Sequence, residues 1–217
     1  MAEFEDPTAP KVGVGPHPKP WPSDDRLDPE LLANGDTRNV VDCYRYWKMD
    51  AIVADLDARR QLWAPACLHV AIQNWTHDFN IGSMVRTANA FSASGVHVVG
   101  RRRWNRRGAM VTDRYLHVYH QPDEAALVAF CRENDLTMIG VDNLPGSVSL
   151  ETTELPARCM LVFGSEGPGL TDAMVANCEK LVAITQYGST RSLNAGAAAA
   201  IALHTWSIAH QRGLGAQ

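Results

Sequence analysis

The stretch from Phe79 to Phe91, FNIGSMVRTANAF, carries two kinds of residue on one helical period. Ile81, Met84, Val85, Ala88 and Phe91 fall on one apolar stripe, as a core-facing helix requires. Gly82, Arg86 and Asn89 fall on a second face, with Asn80 at the start. Arginine presents a rigid fork of N–H donors suited to phosphate or carboxylate oxygens, and amides beside it can keep that fork aimed. Gly82 would leave room on the same face for a partner's backbone. An arginine at such a place also pairs with an acidic neighbour in ordinary folds, so the stretch alone leaves both readings open.

Three other stretches have residue types that could do chemistry. LVFGSEGPGL (161–170) runs an apolar strand into Gly164, Glu166, Gly167, Pro168 and Gly169. Glycines after a parallel strand let a ligand approach the backbone closely. The pattern is neither G-x-G-x-x-G nor a Walker loop, and a plain turn with Thr171 capping the next helix is equally compatible. In ITQYGSTRSLNAGAAAAIALH (184–204), Ser192 and Asn194 open a helix of small apolar residues. They would cap it, or its free amides would hold a carboxylate or a polar ring. In GRRRWNRRG (100–108), Arg101, Arg102, Arg103, Arg106 and Arg107 surround Trp104. A solvated charged loop would account for them, but such density on one loop better suits phosphate contact, with Trp104 either stacking on an unpaired RNA base or packing inward.

The histidines suggest no metal site. His69 and His97 lie in strand-like runs and are expected to be packed. His117 and His120, in YLHVYH, lack carboxylates at ligand spacing, and His77 and Asp78 precede the opening helix, where Asp78 would cap it. No G-x-S-x-G elbow supports a serine hydrolase.

The elements that must position these residues read as an α/β domain. Strands are expected at 68–73, 95–100, 136–142, 159–164 and 180–185, and helices at 80–93, 122–134, 170–178 and 192–211. Apolar strands separated by helices predict a mostly parallel sheet flanked by helices. Residues 26–65 would form a helical extension of two helices, ahead of a main domain over 66–212. Residues 1–25, dense in proline, read as a flexible tail. The 217 residues are 46% hydrophobic and 20% charged, with net charge −4, so a basic patch matters more than the sum. No segment reads as a membrane span or secretory signal. The five cysteines form no C-x-x-C pair, and a reduced, cytoplasmic protein is expected.

Taken together and in order, NIGSMVRTANAF (80–91), FGSEGPGL (163–170) and SLNAG (192–196) resemble the three motifs of the SpoU (TrmH-like) RNA 2′-O-ribose methyltransferases of the SPOUT class. The resemblance runs from about Leu68 to His210. It implies a C-terminal trefoil knot, a homodimer, and S-adenosylmethionine held in the knot. Residue by residue, it implies cofactor contacts at Gly164, Glu166, Gly169, Ile184, Gln186, Leu193 and Asn194. Arg86 matches the catalytic arginine, Asn80 would position it, and Ser192 with Asn194 matches the polar pair of the third motif. Thr185-Gln186 stands where many relatives have Pro-Met, Ala195-Gly196 where Val-Ser is usual, and Ser92 where Gly is common.

The function implied is methylation of a ribose 2′-hydroxyl. tRNA is expected as substrate, since the first 65 residues are short and proline-rich for a separate RNA-binding domain; ribosomal RNA is the alternative. A catalytically silent RNA-binding member of the fold is a reading from a different class. A dinucleotide-dependent oxidoreductase would need a glycine motif after the first strand, where NWTHDFNIG stands instead.

Overall fold

The computed structural model describes residues 13–75 and 80–211. Two compact units divide the chain, one up to Ile52 and the other from Val53 onward. Their elements in order are α1 (Pro29–Asn34), α2 (Met49–Gln61), β1 (Cys67–Asn74), α3 (Ile81–Ala90), β2 (Gly95–Gly100), β3 (Val118–Gln121), α4 (Glu124–Glu133), β4 (Thr137–Val141), β5 (Val148–Ser149), β6 (Arg158–Phe163), α5 (Asp172–Val175), β7 (Lys180–Ala183) and α6 (Ala195–His210).

In the first unit the expectation of a flexible tail over 1–25 is corrected for residues 13–25. Val14 and Asp36 exchange backbone hydrogen bonds of 2.9 and 2.8 Å, and His17 N donates to Leu32 O. Tyr46 Oη donates to Gly15 O at 2.6 Å. The proline-rich chain lacks a ladder of its own, so distant polar groups satisfy its carbonyls. Residues 1–12 lie outside the described residues. The centre of this unit is the carboxylate of Asp36, wholly buried. Burial would raise its pKa, but hydrogen bonds from the Arg38 side chain and from the amides of Tyr46 and Arg38 hold it down at about 2. Of the two helices expected over 26–65, α1 has six residues and only α2, with thirteen, is long. VVDCYRY makes a single 3-10 turn at Asp42–Tyr44.

The second unit is built on a seven-stranded sheet in the order β3-β2-β1-β6-β4-β7-β5. Every pair is parallel. The five expected strands are present within two residues of their expected ends. β3 and β5 are the additions, and both are short and half exposed. Each sheet face has its own core. Leu68, Val70 and Ile72 of β1 pack with Ile81, Met84, Val85 and Ala88 of α3 and with Ala199, Leu203 and Trp206 of α6. Ala71 of the same strand packs on the opposite face with Leu127 and Cys131 of α4 and Met174 of α5. Burial on both faces explains the continuous apolar runs.

The expected helices are shorter than their patterns. α3 stops at Ala90, and Ser92 just past its end holds φ of +53°, the left-handed conformation in which glycine is usual. α6 begins at Ala195 rather than at 192, with Asn194 as its cap.

Candidate functional site

Strands β6, β4 and β7 are neighbours, so the loops leaving their carboxyl ends converge. They enclose a cavity of about 550 Å³. Gly164, Glu166, Gly169, Ile184, Gln186, Ser192, Leu193 and Asn194, all expected from the sequence, line it. At Gly164 an added Cβ would overlap the carbonyl carbon of Gly169, and Gly169 itself holds φ of +74°. Only glycine permits that folded-back loop.

Several residues that shape the cavity went unread in the sequence. Asp142, at the end of β4, accepts a hydrogen bond from Leu170 N at 2.9 Å, closing the glycine loop. Asn143 Nδ2 donates to Arg191 O at 2.6 Å and ties two of the loops together. Glu151 accepts from Thr185 N at 2.9 Å and from Thr185 Oγ1 at 3.0 Å. Its pKa is lowered to about 2, first by the Ser149 hydroxyl, then by its own backbone amide and by the two Thr185 groups. Thr185 thus donates two hydrogen bonds, one from its amide and one from its hydroxyl, of which a proline could make neither. No local pattern marks these partners, because they lie far apart along the chain.

The three motifs meet at one point. Asn80 Nδ2 donates to Glu166 Oε2 at 2.7 Å. Asn194 Nδ2 donates to Asn80 Oδ1 at 2.9 Å. Asn194 Oδ1 meanwhile caps α6, accepting from Gly196 N and Ala197 N at 3.0 and 3.2 Å. The amide of Asn194 thus caps α6 through its oxygen and reaches the first motif through its nitrogen. Asn80 gives α3 no side-chain cap, because its amide bonds across the motifs instead. His77 and the expected cap Asp78 lie outside the described residues. Gln186 turns its Oε1 into a buried position with no hydrogen-bond partner among the described residues.

Arg86 does not line the cavity. It stands exposed on α3 and makes no hydrogen bond or ion pair among the described residues. The expected room beside it is corrected: Gly82 is buried, and an added Cβ would sit 2.9 Å from Ala109 N, Asn105 O and Gly108 Cα. The face thought open to a partner is covered by the backbone of the arginine loop.

That loop is held at its other end by Asn74, which is 2% exposed. Its Nδ2 donates to Arg101 O at 2.7 Å and Arg103 O at 3.0 Å. Arg101, Arg102, Arg103, Arg106 and Arg107 are exposed. Trp104 is half-buried against the core, and the Arg106 guanidinium lies 5.5 Å from its ring centre. Arg106 also approaches Asp113 at 3.5 Å. His69 and His97 form a buried pair, Nδ1 to Nε2 at 3.0 Å. Among the described residues no group of His, Cys, Asp and Glu could hold a metal ion.

Comparison with known proteins agrees with this geometry. The model of the SpoU rRNA Methylase family matches residues 67–204. An uncharacterized tRNA/rRNA methyltransferase of Synechocystis is 32% identical over 180 residues, covering 78% of this chain and 44% of its own. The chain spans about half the length of the curated relatives it matches. The SpoU methyltransferase AviRb of Streptomyces viridochromogenes, solved with AdoMet, superposes with a TM-score of 0.62 at 24% identity, over 68% of this chain and 59% of that one. A structure described as giving insight into the 2-OH methylation of C/U34 on tRNA superposes with a TM-score of 0.60 at 20% identity, over 69% of this chain and 100% of that one. With the family match spanning β1 through most of α6 and all three motifs within it, the chain belongs to the SpoU rRNA methylase family.

Proposed function

We propose that the protein transfers the methyl group of S-adenosylmethionine to a ribose 2′-hydroxyl of RNA, with tRNA as the substrate. The observation that carries this reading is the junction of Asn80, Glu166 and Asn194 beside the cavity. The family resemblance supports the reaction. tRNA stands first because a solved chain consisting of the matched fold alone is described in terms of tRNA methylation. The trefoil knot belongs to the same proposal, supported by the mutual hydrogen bonds of the loops around the cavity.

The residues present fit the cofactor. The cavity lies within the roughly 300–1,000 Å³ usual for small-molecule sites. Backbone at Gly164, Ile184 and Leu193 would hold adenine and ribose, and the unpartnered Gln186 Oε1 offers an acceptor for an amine. When bound, the cofactor supplies an electrophilic sulfonium methyl. The protein's own part is placement: holding a hydroxyl in line can contribute about 7–11 kcal/mol. Arg86 would grip an RNA phosphate or ribose oxygen. A guanidinium offers five N–H donors and no acceptor, so Arg86 is an orienting group rather than the base, and the proton leaves to a phosphate oxygen or water. The arginine loop would neutralise neighbouring phosphates. Ile201 and Ile208, 41% and 43% exposed on α6, offer a surface for a second copy, and a homodimer is part of the proposal.

The test is transfer of labelled methyl from S-adenosylmethionine to unmodified tRNA and, in parallel, unmodified ribosomal RNA, followed by nucleoside analysis. A 2′-O-methyl nucleoside in tRNA is expected. The same product only in ribosomal RNA would overturn the substrate, and bound cofactor without transfer to either would overturn the activity.

A further inference from the structure

The segment between β7 and α6 carries an aromatic residue that neither the core nor the cavity uses. Tyr187 is 96% exposed, a large ring standing almost wholly in water. Its loop is nonetheless tethered. Glu151 holds Thr185 through the amide and the hydroxyl, Asn143 holds Arg191 O, and Asn194 caps α6 while bonding to Asn80. Gln186 and Arg191, before and after Tyr187, both line the cavity. The ring is therefore presented beside the cavity by a loop fastened on both sides.

We propose that Tyr187 is the platform on which the base of the target nucleotide stacks. This rests on the RNA reading above and deepens it. A ribose hydroxyl enters a cavity most readily when its nucleotide leaves the helical stack, which forfeits stacking with its neighbours. An exposed aromatic ring returns that contact, and single-stranded RNA is held in this way. Every base has a flat π face, so such a platform holds the nucleotide without choosing its identity. Arg191, four residues on, is exposed and has no side-chain partner among the described residues. It supplies a donor for the adjoining phosphate. Leu193, 38% exposed, adds apolar surface on the same loop.

The test uses the full chain with S-adenosylhomocysteine and a short single-stranded RNA carrying 2-aminopurine riboside, whose fluorescence falls on stacking. Tyr187→Ala is expected to weaken binding about 5- to 150-fold and to lose the quenching. The salt dependence of binding should keep its slope, because the ring carries no charge. Tyr187→Phe, which keeps the ring, should restore both signals. Equal binding and quenching by the wild type and Tyr187→Ala would overturn the assignment. So would a changed salt slope, which would mean that the loop had moved its arginine. A Tyr187→Ala protein that sediments as a smaller species, with quenching retained, would assign the ring to a contact between copies. Failure of the wild type to bind any RNA would instead sink the RNA reading itself.

Discussion

Arg86 stands in water midway along α3 with no acidic partner among the described residues, so its guanidinium does not hold the fold together. Truncating it should therefore separate chemistry from stability. Arg86→Ala is expected to lower turnover about 100-fold, the scale for losing one oriented donor. The cofactor dissociation constant and thermal midpoint should stay near wild type, and Arg86→Lys should recover little, since an ammonium lacks the planar fork. Single-turnover methyl transfer with a parallel cofactor titration checks this; full turnover in Arg86→Ala would remove the residue from the mechanism. Asn80 and Asn194 contrast with it, because each amide makes bonds at both ends. Substituting either would confound positioning with folding.

The arginine loop and α3 behave as one element. Gly82 and Gly108 bring their backbones together, with an added Cβ at Gly108 falling 2.9 Å from Ser83 N. Asn74 anchors the far side of the loop from the end of β1. Replacing glycine by alanine inside a helix ordinarily stabilises it by about 0.5–1 kcal/mol. At Gly82 the sign should reverse. The added methyl group would meet three backbone atoms at 2.9 Å, and backbone cannot rotate away as a side chain can. Gly82→Ala is expected to destabilise the fold by about 1–3 kcal/mol, read from a denaturant midpoint. It should also flatten the salt dependence of RNA binding by displacing the arginines. A gain in stability would show that the two elements are not docked.

At the scale of the molecule, the sheet buries one polar pair with a pH consequence. His69 and His97 are 7% and 0% exposed, and Gln121 Nε2 lies 3.0 Å from His97 Nδ1. Burial lowers their pKa values, with smaller contributions from nearby cationic groups, to about 4 for His69 and about 3 for His97. The unfolded chain takes up these protons near pH 6.5, whereas the folded chain refuses them until well below that. Stability is accordingly full above about pH 6.5 and falls as pH drops toward 4, by about 1.4 kcal/mol per pH unit for each histidine. Denaturant midpoints at pH 7 and pH 5 should show the loss, and His97→Gln should reduce it. A flat profile would mean that the pair is open to protons in the native state.

Much of the second unit was legible in the sequence because its strands are buried on both faces, which writes uninterrupted apolar runs between glycine and proline breaks. The order of the three motifs was legible too, and with it eight of the residues that line the cavity, though not Asp142, Asn143 or Arg191. β5, two residues long, is too short for any period to reveal it. The proline-rich start was misread because its order comes from single bonds to Leu32, Asp36 and Tyr46 rather than from a repeating ladder. Gly82 was misread for a related reason: a missing side chain signals close approach without saying of what. By itself the sequence determined which residues are chemically able to form the site, since composition and spacing are local properties. Tertiary structure alone decided which of them meet, as Asn80 with Glu166 and Asn194, and which stand apart, as Arg86 does. Those contacts join residues 86 and 114 positions apart, and only packing of the sheet and its helices brings them within hydrogen-bond range.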